Sequence, residues 1–429
     1  MNTQELHTLF LKSTGVCTDN RILHKDQLFF ALKGDNFNGN SFAEKALDTN
    51  ALAVVIDDVS VAKTLKGKNV VLVTNVLNTL QELAKFHRNY LNIPIIGLTG
   101  SNGKTTTKEL IYSVISQRFK TVATIGNLNN HIGVPLTLLK MNKSTEIGIV
   151  EMGANHQKEI EFLCTIAQPN IGYITNFGKA HLEGFGGVEG VIKGKSELYT
   201  FLKGHNGKAL VNLDDDKQVE LTKHLNCYTF SENKTSDVSI SLRKTTPFLE
   251  IGFKNDIIKT NLIGSYNFSN IAAAVALGSF YNISVKKIKD GIENYVPTNN
   301  RSQLIEQNSN HIILDAYNAN PSSMEAALHN LSLNNNKEKY IILGDMFELG
   351  KEAEKEHQLI VQLVKQLNFT DVIFVGENFY KEREELKSTL FFNNYDNLES
   401  YISKNKPTKK IMLIKGSRGM ALERILKVI

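Results

Sequence analysis

The run Ile95-Ile96-Gly97-Leu98-Thr99-Gly100-Ser101-Asn102-Gly103-Lys104-Thr105-Thr106-Thr107 restricts the fold of this chain more than any other segment. An apolar strand-like stretch enters a glycine-rich turn, and a helix-like stretch, 108–117, follows. Glycines permit the tight turns that other residues disfavour. Backbone N–H groups and the helix N-terminus then face an anion. In this context Gly100, Ser101, Asn102, Gly103, Lys104, Thr105 and Thr106 read as a nucleotide-phosphate loop. Lys104 can reach the β- and γ-phosphates, and Thr105 can offer its hydroxyl to Mg²⁺. Leu98 stands where the strict pattern G-x-x-x-x-G-K-[ST] has its first glycine, so the loop is a variant.

Around this loop, from Ile93 to about Tyr281, apolar strands alternate with amphipathic helices: IPIIGLT, EIGIVE, NIGYIT and KALVN are the strands. Alternation of this kind predicts a parallel sheet with helices on both faces. Short strands at 238–242, 248–251 and 257–260 read as an antiparallel edge or side sheet, followed by an Ala-rich helix over 267–281. The polar stretch Val296-Pro297-Thr298-Asn299-Asn300 reads as a linker and hinge. Beyond it HIILDAY, YIILGD, DVIFVGE and IMLIKGS, each followed by a helix, predict a smaller doubly wound sheet. Functional groups gather at the carboxyl ends of such strands, where Asp315 and Lys415 fall. The expected fold is α/β with three domains: 1–92, a central P-loop domain over 93–297, and a Rossmann-like domain over 298–429.

Length supports this division, since 429 residues exceed one core. A net charge of +5 is too small to predict nucleic-acid binding. The first twenty residues lack a basic start and a sustained apolar run, so no signal peptide is expected. No run of ~20 apolar residues offers a membrane span. Cys17, Cys164 and Cys227 form no CxxC pair. A cytoplasmic monomer is the expectation.

Three further residues bear on metal chemistry. Glu151 ends a strand beside the loop strand and reads either as a Mg²⁺ ligand or as a capping acid. His181 follows a third sheet strand and by itself is an ordinary histidine. Lys195, by its spacing, is an ordinary solvated lysine. A lysine can ligate metal only after its neutral amine captures CO₂ as an anionic carbamate.

The sequence resembles the Mur ligases. The resemblance rests on TGSNGKTTT, NLNNHIGVP (127–135), EMGAN, ITNFGKAHLEGFG, KSELY, GSYNFSNIAAAVA (264–276), LDAYNANPSS (314–323), ILGDMFELG (342–350) and IKGSRG (414–419), in the family's order. TDNR (18–21) and LFFALKGDNFNGNSF (28–42) resemble the family's amino-terminal substrate domain, although Asn20 replaces its usual serine. EMGANH, AHLEGFG and DAYNANP resemble the branch that adds D-alanyl-D-alanine to UDP-N-acetylmuramoyl-tripeptide. The resemblance implies an ATP-dependent amide ligase of cell-wall peptidoglycan synthesis. It implies Thr105, Glu151, His181 and a carbamylated Lys195 around two Mg²⁺ ions. Asn267 and Asn270 are then expected near adenine. Arg301, Asp315 and Asn318 are expected to close on the nucleotide, with Lys104, His181, Lys195 and Asp315 serving catalysis. Asn129 and Asn130 are expected at the muramoyl substrate. Lys415 and Arg418 are expected to hold an anion, either ATP phosphate or the dipeptide carboxylate. The alternatives are a relative that adds a single amino acid, folylpolyglutamate synthase included, or a P-loop ATPase switch.

Overall fold

The computed structural model describes residues 1–334, 338–385 and 389–429. Its strands are β1 (Val16–Cys17), β2 (Leu28–Phe30), β3 (Lys33–Gly34), β4 (Phe37–Asn38), β5 (Ala53–Ile56), β6 (Val70–Leu72), β7 (Ile95–Thr99), β8 (Thr121–Ala123), β9 (Ile147–Glu151), β10 (Ile171–Ile174) and β11 (Lys208–Asn212). They continue with β12 (Asn226–Ser231), β13 (Val238–Lys244), β14 (Glu250–Phe253), β15 (Asp256–Lys259), β16 (Gln303–Gln307), β17 (Asn310–Asp315), β18 (Lys339–Gly344), β19 (Val372–Val375), β20 (Leu390–Phe392) and β21 (Ile411–Lys415).

β7 and β9, apolar up to a polar last residue, are buried along their whole length, as strands covered on both faces are. They form the middle of a sheet ordered β15-β14-β13-β12-β11-β10-β7-β9-β8. Pairing is parallel from β13 to β8, and β13, β14 and β15 pair antiparallel, as the short strands predict. One face carries the helices Lys104–Ile115, Phe268–Phe280 and Val285–Glu293. Ala272, Ala273, Ala274 and Ala276 are wholly buried there and let the first two helices lie close. The other face is covered by Glu159–Ala167, Val188–Gly204 and Val76–Leu91.

The C-terminal sheet runs β16-β17-β21-β18-β19-β20, parallel except for β16. Two of its strands escape the sequence reading: β16 is only half buried, and β20 is three residues long. The helix expected after IMLIKGS is absent as an α-helix. Two 3₁₀ segments, Arg418–Met420 and Leu422–Lys427, stand in its place, separated by Ala421 in a left-handed conformation. The linker continues into a chain of left-handed residues, Asn299, Asn300 and Ser302.

The first sheet, β1-β2-β5-β6, is parallel throughout. The helix Val76–Leu91 links it to the central sheet by buried polar ties. Its N-cap Asn75 accepts from Asn78 N. Arg88 donates to Ala167 O, Gln168 O and Asn170 Oδ1, and Gln81 donates to His131 O. His87 Nε2 lies 2.9 Å from Met141 O, and its Nδ1 lies 3.0 Å from His7 Nε2. A carbonyl only accepts, so His87 donates from Nε2, and its Nδ1 accepts a hydrogen bond from His7 Nε2. Among the described residues, no helix is long and apolar enough to cross a membrane.

Burial lowers the pKa of both His7 and His87, with the His87 charge opposing a second one on His7. Below about pH 6.5 the unfolded chain therefore binds protons that the folded chain refuses. Stability is full above that pH and is lost as pH falls through it. Thermal unfolding should show a lower midpoint at pH 5.5 than at 7.5. A His7→Phe/His87→Gln variant should lose part of that difference, and an unchanged difference would remove the pair as its source.

Candidate active site

Parallel register builds the site. Leu98 pairs with Glu151 and with Tyr173, and Thr99 pairs with Ile174, so three adjacent strands release their loops at one edge. Gly100, with φ +141°, lies so near the β10 exit that a Cβ would stand 2.0 Å from Thr175 Oγ1. Gly103, with φ +76°, turns the chain into the helix Lys104–Ile115 beside the Asn270 carboxamide. Ser101 Oγ donates to Gly178 O, and Asn102 N donates to Asn176 Oδ1, so the loop leans on 175–178. Lys104 curls back onto Gly100 O and Ser101 O at 2.8 and 3.1 Å. Burial pushes Lys104 down to about 8, against the pull of Glu151, with Arg301 adding to the fall. A polyanion in the loop restores its charge.

Glu151 is 1% exposed. Its Oε1 accepts from Thr105 Oγ1 at 3.2 Å and Asn129 Nδ2 at 2.7 Å. Its Oε2 is buried and has no hydrogen-bond partner. A buried carboxylate oxygen without a donor, next to a threonine hydroxyl, is a fit for a hard cation. Among the described residues no three His, Cys, Asp or Glu side chains form a metal cluster. Other donors, such as hydroxyl and phosphate oxygens, would have to complete such a shell.

Lys195 is wholly buried, contrary to its solvated reading from spacing. Its Nζ donates to Ala154 O at 3.1 Å and lies 4.8 Å over the Phe185 ring. Burial, reinforced by Lys104, holds its pKa well below the usual lysine range, against Glu159 and Glu197. A neutral amine is the form that reacts with CO₂.

One cavity of about 1300 Å³ gathers the predicted groups. Residues of the phosphate loop, Asn129, Asn130, Glu151, His181, Asn267, Asn270, Arg301, Asp315, Asn318 and Lys415 all line it. Asn270 accepts from Thr107 Oγ1 and donates to Asn267 Oδ1. The Arg301 guanidinium stacks 3.6 Å over the Tyr317 ring. Lys415 Nζ sits 2.5 Å from Asp315 Oδ2, and Asn318 Oδ1 accepts from Ala319 N. Asn130 Oδ1 caps the turn at Ile132 and Gly133. Lys195 is not among the lining residues, although its neighbour Ala154 is. Arg418 lies outside the cavity, exposed and paired with Glu423 at 2.7 Å.

The Mur ligase middle domain matches residues 98–278, and the Mur ligase glutamate ligase domain matches residues 300–418. The chain belongs to the Mur ligase family. The UDP-N-acetylmuramoyl-tripeptide--D-alanyl-D-alanine ligase of Bacillus subtilis is 36% identical over 96% of this chain and 92% of that protein. A crystal structure of MurF from Acinetobacter baumannii superposes with TM-score 0.86 at 28% identity, covering 99% of this chain and 98% of that one. MurF from Thermotoga maritima in complex with ADP gives 0.83 at 25% identity, covering 98% and 97%. The three-domain Mur ligase fold expected from the sequence is the fold of these neighbours.

Several Mur ligase cavity groups escaped the sequence reading. Asn320 Nδ2 donates to Asn102 Oδ1 at 2.7 Å, joining the C-terminal unit to the phosphate loop. Its signal was legible, because Asn-Pro at 320–321 is a helix N-cap followed by a first-turn proline. Asn176 and Tyr317 had no such signal.

Gly100→Ala tests the loop's close approach. The added methyl must displace Thr175, at a cost of about 1–3 kcal/mol. ADP affinity measured by calorimetry should fall about tenfold or more. Unchanged affinity would show that the loop need not hold this path.

Proposed function

We propose that this chain joins D-alanyl-D-alanine to UDP-N-acetylmuramoyl-tripeptide at the expense of ATP, giving the peptidoglycan pentapeptide precursor, ADP and phosphate. The observation that carries the reading is the unpartnered Glu151 oxygen beside Thr105 of a phosphate loop, in one cavity with groups from the C-terminal unit. The names of its relatives, at 30–36% identity, agree with it. Residues 1–92 would take the UDP-muramoyl end, 93–297 ATP, and 298–429 the dipeptide while closing on the nucleotide.

An amide does not form from a carboxylate and an ammonium in water without activation. The tripeptide's terminal carboxylate attacks the γ-phosphorus, the bond to the β-phosphate oxygen breaks, and ADP leaves. The dipeptide's neutral amine then attacks the acyl carbon. The carbon–oxygen bond to phosphate breaks, and the nitrogen loses a proton. The first step brings an anion to a polyanion. Unit like charges ~4 Å apart repel by ~4 kcal/mol at an effective dielectric of 20. Lys104 offsets this at the β- and γ-oxygens.

Thr105, Glu151, His181 and Lys195 as its carbamate would hold two Mg²⁺ ions, which supply positive charge to the transferring oxygens. Lys195 forms the carbamate when Nζ bonds to CO₂ and releases a proton. Asn267 and Asn270 would face adenine, with Arg301 and Asn318 closing over the nucleotide. Asn129 and Asn130 would meet the muramoyl group. Lys415 would hold an anion with Asp315 fixing its ammonium; Arg418, outside the cavity, is not retained for that role. Docking of the C-terminal unit excludes water, which hydrolyses acyl phosphates. ATP and a UDP-linked substrate put the work in the cytoplasm, and one chain supplies every group, as in a monomer.

The decisive assay supplies UDP-N-acetylmuramoyl-tripeptide, D-alanyl-D-alanine and Mg·ATP and looks by mass for the pentapeptide. Phosphate release without a joined product, or product only with meso-diaminopimelate, D-glutamate or L-glutamate, would overturn the reading. Lys104→Ala should lower turnover by about 10²–10³ or more; near-normal turnover would refute the phosphate-loop role. Lys195→Ala should be nearly inactive and partly rescued by short carboxylic acids, whereas full activity would remove the carbamate. Asp315→Ala should impair turnover more than UDP-substrate binding.

A further inference from the structure

The loop that carries His181 is clasped from both sides. On one side it touches the phosphate loop, through Ser101 Oγ to Gly178 O and Thr175 Oγ1 to Asn102 O. On the other it meets the C-terminal unit. Lys179 N donates to Ser322 Oγ at 2.9 Å, and Lys179 Nζ pairs with the buried Glu356 at 2.6 Å. Glu183 N reaches Glu348 O at 3.3 Å, and His181 Nδ1 lies 2.5 Å from Glu348 Oε2.

The segment presenting Glu348 is held residue by residue. Asp345 accepts from Asn378 N and Phe379 N. Met346 N donates to His357 Nε2, whose ring in turn donates from Nδ1 to Ala353 O. Phe347 N donates to Ser417 Oγ. Glu348 itself adopts φ +62° and His181 φ +53°, backbone conformations that side chains with a Cβ disfavour. Strained residues persist where the surroundings over-determine them, and such places are commonly functional. The Glu348 side chain is 52% exposed, so as a stabilising ion pair it is worth little. Its value lies in orientation. The His181 Nδ1 is buried and makes no aligned hydrogen bond, although Glu348 Oε2 lies 2.5 Å from it.

We propose that Glu348 is a positioning residue for the reaction: from the C-terminal unit its carboxylate accepts a hydrogen bond from Nδ1–H of His181, leaving Nε2 unprotonated to face the metal-binding groups. A histidine that ligates metal through one nitrogen is oriented by the acceptor its other nitrogen meets. Here that acceptor belongs to the unit that docks, so the metal shell is completed only on docking. This inference rests on the metal role given to His181 above.

The test measures Mn²⁺ affinity by electron paramagnetic resonance, on the full chain saturated with ADP, which does not depend on turnover. His181→Ala should weaken Mn²⁺ about tenfold or more. Glu348→Ala should weaken it by a comparable factor, within the 10–100-fold usual for such partners. Glu348→Gln, which keeps an acceptor oxygen, should recover most of the loss. Glu356→Gln, which breaks the neighbouring Lys179 pair, should leave Mn²⁺ affinity near that of the parent chain. If His181→Ala has no effect, the metal role of His181 falls, and this inference with it. If His181→Ala weakens Mn²⁺ but Glu348→Ala does not, only the positioning role falls. Equal losses in Glu348→Ala and Glu356→Gln would also overturn it, because docking strength rather than ring orientation would then be what matters.

Discussion

Parallel register across β10, β7 and β9 is the constraint on which the site depends. In a parallel sheet every strand ends at the same edge, so loops far apart in sequence leave side by side. Leu98 opposite Glu151, and Thr99 opposite Ile174, align the phosphate loop, the Glu151 carboxylate and the His181 loop along one rim. A one-residue slip would turn Glu151 to the other face of the sheet. Both faces are sealed by apolar helices, so such a slip would bury the carboxylate in hydrocarbon.

Burial then sets the chemistry of individual groups. Lys104 and Lys195 both lose affinity for their protons because water is excluded, and the Lys104 charge adds to the cost of charging Lys195. The outcomes differ by surroundings. Lys104 keeps two backbone carbonyls and opens on the cavity, so an incoming polyanion recharges it. Lys195 has one carbonyl and the Phe185 ring, too little to offset the cost of burying its charge.

Much of this was legible in the sequence, because local signals carried it. Strand, glycine turn and Lys-Thr at 95–107 predict the phosphate loop, and the alternating segments predict both large sheets. The short strands at 238–260 predict an antiparallel edge or a side sheet, and they form the edge. What escaped depends on contacts between distant segments. β16 pairs at a half-exposed edge and lacks an apolar signature. The expected final helix gives way to 3₁₀ turns at Ala421. By spacing Lys195 is an ordinary lysine, and only the packing of Phe185 and Ala154 around it makes it unusual. Asn176, Asn320 and Glu348 sit in motifs whose partners lie far away in sequence.

The helix Val76–Leu91 divides the molecule mechanically. Arg88, Gln81 and His87 fasten it to the central sheet through buried carbonyls. The C-terminal unit meets the same sheet through hydroxyl, carboxamide and partly exposed ionic contacts, after a linker of left-handed residues. The first two domains are thus tied through buried groups, and the third through partly exposed ones. A bridging inhibitor seated against both Gln81 and Ala326 would span both kinds of junction, and the less buried one is where it would add most.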